Sequence, residues 1–297
     1  MNLDIITQQI KLVMGFLLLG LLLASLQCII LPQAQYNPGA KQISLSNSDV
    51  ALSNDVFALF NNPAGLSQMN WREVGIYYSP APFGFTELAN GYIAYNEPFS
   101  FGSIALGGMT YGFELYRETK VTAGFSYNYD NRFFAGVALN FHNFSIKNYG
   151  NDFVFYLNLG GLVYVADQLR LGFSVQNINR ASLADEDDQI PVVLNTGLSY
   201  DFIDELSVNL AVEKDVRYNA SVLFGIDYNI IENLSLRTGF SNEPSRYTAG
   251  VGINYSVISF DYALFTHTDL GLTHQAGIII SFGKEKSRTQ KIKEHMK

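Results

Sequence analysis

This sequence predicts an all-β fold, a transmembrane antiparallel β-barrel of about fourteen strands with an N-terminal plug, and three observations predict it. First, from residue 71 to residue 282 apolar and polar residues alternate with period two, and no segment sustains a period of 3.6. Second, the connections between these alternating runs are in turn short and long, as when both chain ends lie on the rim with the tight turns. Third, one face of the strands is Val, Leu, Ile, Phe and Tyr, while the other is Gly, Ser, Asn, Thr and a few charges. Such an inner face is too small to close on itself as an oily core, but it can line a lumen holding water or a plug.

Composition narrows the classes. Charged residues are 15% of the 297, against roughly a quarter in a typical soluble domain, and aromatics reach 14%. This excludes a disordered chain, a coiled coil and a nucleic-acid binder that works through a basic face.

In chain order, residues 1–35 form a secretory signal peptide: Lys11, an apolar run over 12–31, then polar residues from Pro32 to Gln35. An apolar run of this length could also span a bilayer as an anchor. Cys28 is the sole cysteine; Gln27 before it is not the small residue a lipoprotein signal requires, so no disulfide, thiolate or lipid is expected in the mature chain. Residues 36–70 lack strand alternation and are expected to enter the lumen as a plug, with 41–68 as its body.

The barrel occupies 71–283, with strands near 74–79, 88–95, 101–110, 119–127, 133–141, 153–165, 169–177, 192–200, 206–213, 219–230, 234–240, 247–255, 258–265 and 273–282. In 206–213, Leu206, Val208, Leu210 and Val212 face one way and Ser207, Asn209, Ala211 and Glu213 the other. Long connections are expected at 111–118, 177–191 and 241–246, among others. Tyr77, Tyr78, Tyr127, Tyr129, Tyr200, Tyr228 and Tyr255 lie near strand ends and suit interfacial girdles. Residues 284–297 form a basic periplasmic tail in which six Lys/Arg against Glu285 and Glu294 give +4, on a chain of net −8. It is read as solvated.

Candidate chemistry is sparse. No G-x-S-x-G elbow and no metal-ligand spacing occur, so no enzyme and no cofactor are expected. His142 with Ser145 is the only pair that could suggest a surface lipase, and His142 reads better as an interfacial or loop histidine. The acidic run Asp185, Glu186, Asp187, Asp188 has no EF-hand spacing and reads as a solvated loop. The lumen-lining charges Arg170, Glu213, Asp227, Arg237 and Asp261 are expected to pair with one another or with the plug.

The run from Ser48 to Ser67, SDVALSNDVFALFNNPAGLS, resembles the N-terminal hatch of the FadL-like outer-membrane barrels, in particular the PorV/PorQ branch associated with type IX secretion. Asn62, Pro63, Ala64, Gly65 and Leu66 carry that match, as the plug or gating motif. Near the other end, Asp261, Tyr262, Ala263, Leu270, Gly271, Thr273 and His274 sit where that branch has an Asp-Tyr-Ala strand and a Leu-Gly-x-Thr-His loop. Physically, Pro63 pushes Asn62 towards extended backbone, and Gly65 is expected to allow a sharp turn into the barrel. The resemblance implies a place in the outer membrane of a Gram-negative bacterium, contact with its lipids, and binding of protein partners or cargo in type IX secretion. The alternative is a FadL-like transporter of a hydrophobic small molecule. The loops are shorter than those of FadL-like fatty-acid transporters.

Overall fold

The computed structural model describes residues 37–183, 190–267, 270–283 and 288–295; the signal segment 1–35 and the acidic run at 185–188 lie outside them. Fourteen antiparallel strands close into a barrel in simple sequence order, β1 pairing with both β2 and β14. They are β1 Glu73–Ser79, β2 Asn90–Phe99, β3 Gly102–Gly112, β4 Tyr116–Tyr129, β5 Phe133–Ile146, β6 Gly150–Ala166 and β7 Leu169–Gln176. The second half is β8 Val193–Ile203, β9 Leu206–Asp215, β10 Ser221–Ile231, β11 Leu234–Asn242, β12 Ser245–Tyr255, β13 Ile258–His267 and β14 Gly271–Ser281.

Alternation sets the two faces as the sequence implies. In β9, Asn209 and Ala211 are buried inward while Leu210 and Val212 are exposed outward. In β7, Arg170, Gly172, Ser174 and Gln176 point in. The outward face is a belt of large apolar side chains, including Val121, Leu139, Phe155, Leu236 and Ile278. Of the seven tyrosines expected at the girdles six are exposed, but Tyr77 is not: it sits on the inward register of β1 and is buried in the lumen.

Three expectations are corrected. Residues 111–118 are mostly strand, because β3 and β4 run on to leave only a three-residue connection. Residues 241–246 shrink in the same way to Glu243 and Pro244 between β11 and β12. The short-turn rim is uniform, whereas on the opposite rim only 80–89 and 177–192 are long. His142 is neither interfacial nor in a loop. It lies in β5 and points into the lumen, 2.9 Å from Glu118 and against the Phe144 ring, tilted by 32° with ring centres 4.1 Å apart. Ser145, three residues on, is on the opposite face, so the two cannot form a dyad.

Residues 40–69 lie within the barrel and are buried almost throughout. They form α1 (Ala40–Ser44), α2 (Ala58–Asn61) and a 3₁₀ turn (Pro63–Gln68), joined by turns. Helix α1 packs on β11–β14, and the 3₁₀ turn packs on β3–β6. Glycines around the wall make room for this backbone. A Cβ on Gly136 would meet Pro63 and Ala64 at 2.3 Å, on Gly172 the Val50 carbonyl at 2.4 Å, and on Gly250 the Ser44 side chain at 2.5 Å. Beyond the barrel, α3 (Arg288–His295) lies at the short-turn end.

Candidate functional site: a lumen of two halves

The inner segment divides the lumen. On the side of β1–β5, β13 and β14, apolar side chains form one cluster through most of the barrel's height. At the long-loop end Phe83, from the 80–89 connection, packs its ring 5.6 Å from Phe265 and donates its backbone N–H to Thr273 at 2.8 Å. Below it Tyr77 and Tyr92 lie edge to face at 5.9 Å, Phe60 meets Tyr92 at 5.2 Å, and Phe57 meets Tyr77 at 6.4 Å. Leu59, Leu66, Met69 and Trp71 continue the cluster to the short-turn end. Edge-to-face geometry is what the aromatic quadrupole favours. Midway along this seam the Lys120 ammonium sits over the Phe60 and Tyr92 rings, 5.6 and 5.7 Å from their centres, and Arg246 lies over Phe265 at 5.4 Å.

The other half, on β7–β13, is polar. Arg237 donates to Asp227 across β10 and β11 at 2.9 Å and reaches over β12 to Asp261 on β13. It crosses β12 at Gly252, where a Cβ would lie 2.7 Å from both the guanidinium and Asp261. Arg170 binds Ser199 at 3.0 Å and pairs with Asp201. Of the predicted lumen charges, Asp227, Arg237 and Asp261 therefore form one unit, and Arg170 belongs to a second. Glu213 stands apart towards the long-loop end, where Asn195 donates to it at 3.3 Å, beside a cavity of about 50 Å³. A larger polar vestibule of about 1000 Å³ opens at the short-turn end, lined by Asp55, Asn229, Ser259 and the Asp227–Arg237–Asp261 unit. Lys41, from α1, faces it and is held by Asn54 and by Asp55 at 3.8 Å; burial lowers its pKa against the opposing pull of Asp55.

The Asn62–Leu66 motif is a structural junction. Asn62 is extended (φ −144°, ψ 96°), as the following proline dictates. Its amide donates to the carbonyls of Val50 at 2.7 Å and Gly161 at 3.2 Å, and its side-chain oxygen accepts from the Ala64 N–H. Pro63 starts the 3₁₀ turn, and Ala64 and Leu66 are fully buried. Gly65 corrects an expectation. It does not adopt a left-handed φ; a Cβ there would strike the Ser53 carbonyl oxygen at 1.9 Å. Close approach, not turn freedom, requires the glycine.

Sequence reasoning missed Asp201, Glu118, Lys41 and Glu73. Asp201 was within reach, being in phase with inward Ser199 two residues earlier. Glu73 opens β1, where too few residues precede it to set a phase. Among the described residues no three His, Cys, Asp or Glu side chains group as a metal site.

No protein-family model matches the sequence, and no curated protein matches it. Solved structures do. The CymD monoaromatic hydrocarbon channel superposes with a TM-score of 0.62 at 12% identity, covering 85% of this chain and 100% of that one. A Pseudomonas aeruginosa FadL homologue gives 0.58 at 12%, covering 85% and 98%. The Pseudomonas putida toluene transporter TodX gives 0.58 at 14%, covering 86% and 98%. The chain shares the fold of these FadL-like channels. Within the barrel the aromatic seam lies against β1–β5, β13 and β14 and the polar vestibule against β9–β13, with β13 and Ile279 common to both.

Proposed function

We propose that the chain is an outer-membrane channel that admits a hydrophobic small molecule along the aromatic seam. The observation that carries this reading is the continuous cluster from Phe83 and Phe265 to Met69 and Trp71, an apolar route inside a barrel whose other half is polar. The likeness in fold to hydrocarbon channels supports it. The outward apolar belt, flanked by exposed Tyr78, Tyr127, Tyr129, Tyr200, Tyr228 and Tyr255, supports a place among outer-membrane lipids, with the short turns and both described chain ends on the periplasmic side. In this reading the inner segment is a plug, and Asn62–Leu66 is the fixed joint about which residues 56–61 yield to let the molecule past.

Type IX secretion, the use implied by the PorV/PorQ-like ends, rests on those motifs alone. One comparison separates the two. In a strain lacking the gene, uptake of a radiolabelled aromatic hydrocarbon is expected to fall while secreted proteins stay at their normal levels. Normal uptake with cargo retained in the periplasm would overturn the channel and restore the secretion reading.

A further inference from the structure

The basic tail reads as solvated in the sequence, yet its described part is docked. Helix α3 is anchored at both ends. Arg288 reaches Glu73 at 2.7 Å, donates to the Asn54 carbonyl at 2.7 Å, and lies 5.8 Å from the centre of the Trp71 ring. Lys293 binds Asp204 at 2.6 Å and lies 3.7 Å from Asp201, and Ile292 between them is buried.

The two anchors are far apart in the fold. Glu73 begins β1, whereas Asp201 and Asp204 belong to β8 and the turn that follows it. In a ring of fourteen strands, β1 and β8 face each other across the lumen. From Arg288 to Lys293 the helix rises about 7.5 Å, and the long Arg and Lys side chains extend that reach on both sides. The helix therefore spans the mouth instead of lying along the rim.

Glu73 indicates that this contact is built in. Its carboxylate is fully buried and accepts from the Trp71 indole at 2.7 Å, Ser281 at 2.7 Å and the Val56 N–H at 3.1 Å. All three donors are neutral, and among the described residues Arg288 is its only ion-pair partner. A buried carboxylate without a cation is costly, so the barrel's closing seam carries a charge that the tail neutralises.

We infer that the acidic periplasmic mouth is a docking site for a basic helix, and that its resident occupant is the chain's own C-terminal helix, strapped from Glu73 to Asp201 and Asp204 so that it restricts entry to the polar vestibule. The inference rests on the channel reading only for the name of that side.

The test uses the full chain with Cys28→Ser and one reporter, Asn229→Cys, on the vestibule wall. Its labelling by a bulky hydrophilic maleimide is followed in purified protein. Lys293→Glu sets a like charge against Asp201 and Asp204 without touching buried Glu73. Labelling should become several-fold faster, and Asp204→Lys added to Lys293→Glu should slow it again by restoring an opposite pair. Equal rates in all three proteins would overturn the strap, as would a double variant that labels no more slowly than Lys293→Glu. Separately, Arg288→Gln should shift emission of Trp71, the only tryptophan, to longer wavelength while heat-modifiable gel mobility shows a folded barrel. Unchanged emission in a folded barrel would remove the Glu73 anchor. None of these readouts depends on which molecule crosses the membrane, so the channel reading and the strap fail independently.

Discussion

Gly65 and Asn62 show what single residues contribute. At Gly65 the wall of the site is the Ser53 backbone, which cannot swing aside as a side chain would. Gly65→Ala should cost about 1–3 kcal/mol, as overpacking typically does, read as an earlier midpoint when folded and unfolded gel bands are followed through a urea series. Asn62→Asp keeps the shape but replaces the donor that serves Val50 and Gly161 with a charged acceptor. It should be worse than Asn62→Ala in the same assay, because buried carbonyls would then face a carboxylate. A result equal to wild type for both would mean that the junction is not held by this amide. The motif was legible in the sequence as a break between two segments, and Pro63 fixed the backbone before it. The role of Gly65 was not legible, because the atom that excludes a Cβ belongs to a residue twelve positions earlier and only the fold brings it near.

Strands obey two different constraints along their length, and this explains what could be read from the sequence. In the bilayer the outward side chain must be apolar and the inward one small or polar, so the pattern in 206–213 reveals register residue by residue. Beyond the bilayer the ladder continues but the outward demand lapses: β4 begins with Tyr116, Arg117, Glu118 and Thr119, which alternate in burial but not in hydropathy. That stretch consequently reads as loop. Register predicts that Leu210→Arg, exposed on the lipid face of β9, costs roughly 2–4 kcal/mol, whereas Ser207→Arg, facing the vestibule, costs far less. Asn209 is inward but fully enclosed, so inward position alone does not make a site tolerant. Across strands the Asp227–Arg237–Asp261 unit behaves as one element. Arg237→Met leaves two carboxylates without their cation and should cost about 3–5 kcal/mol, and adding Asp227→Asn and Asp261→Asn should recover most of that. A triple variant as unstable as the single one would show that the guanidinium acts through packing against the wall rather than through charge.

The molecule as a whole holds an apolar seam and a polar vestibule in one barrel. The inner segment fills the middle, the aromatic seam runs along β1–β5 with β13 and β14, and the vestibule opens on β9–β13. The sequence showed a lumen with small residues and charges but not this division, because the seam is made as much by the inner segment's Phe57, Leu59 and Phe60 as by the wall, and nothing in a strand's own pattern tells which side of a plug it will meet. If hydrophobic molecules use the seam and polar solutes the vestibule, a seam lesion should affect one class only. Phe60 touches Tyr92 and the Lys120 ammonium in the seam and lies outside the vestibule lining. Phe60→Ser in the full chain, reconstituted in vesicles, should slow entry of an aromatic hydrocarbon several-fold by putting a hydroxyl into the apolar path. Leakage of a small sugar from the same vesicles should stay at the wild-type rate. Loss of hydrocarbon entry with unchanged sugar leakage assigns the route to the seam; a rise in both would mean that Phe60 holds the plug in place and that the two halves open together.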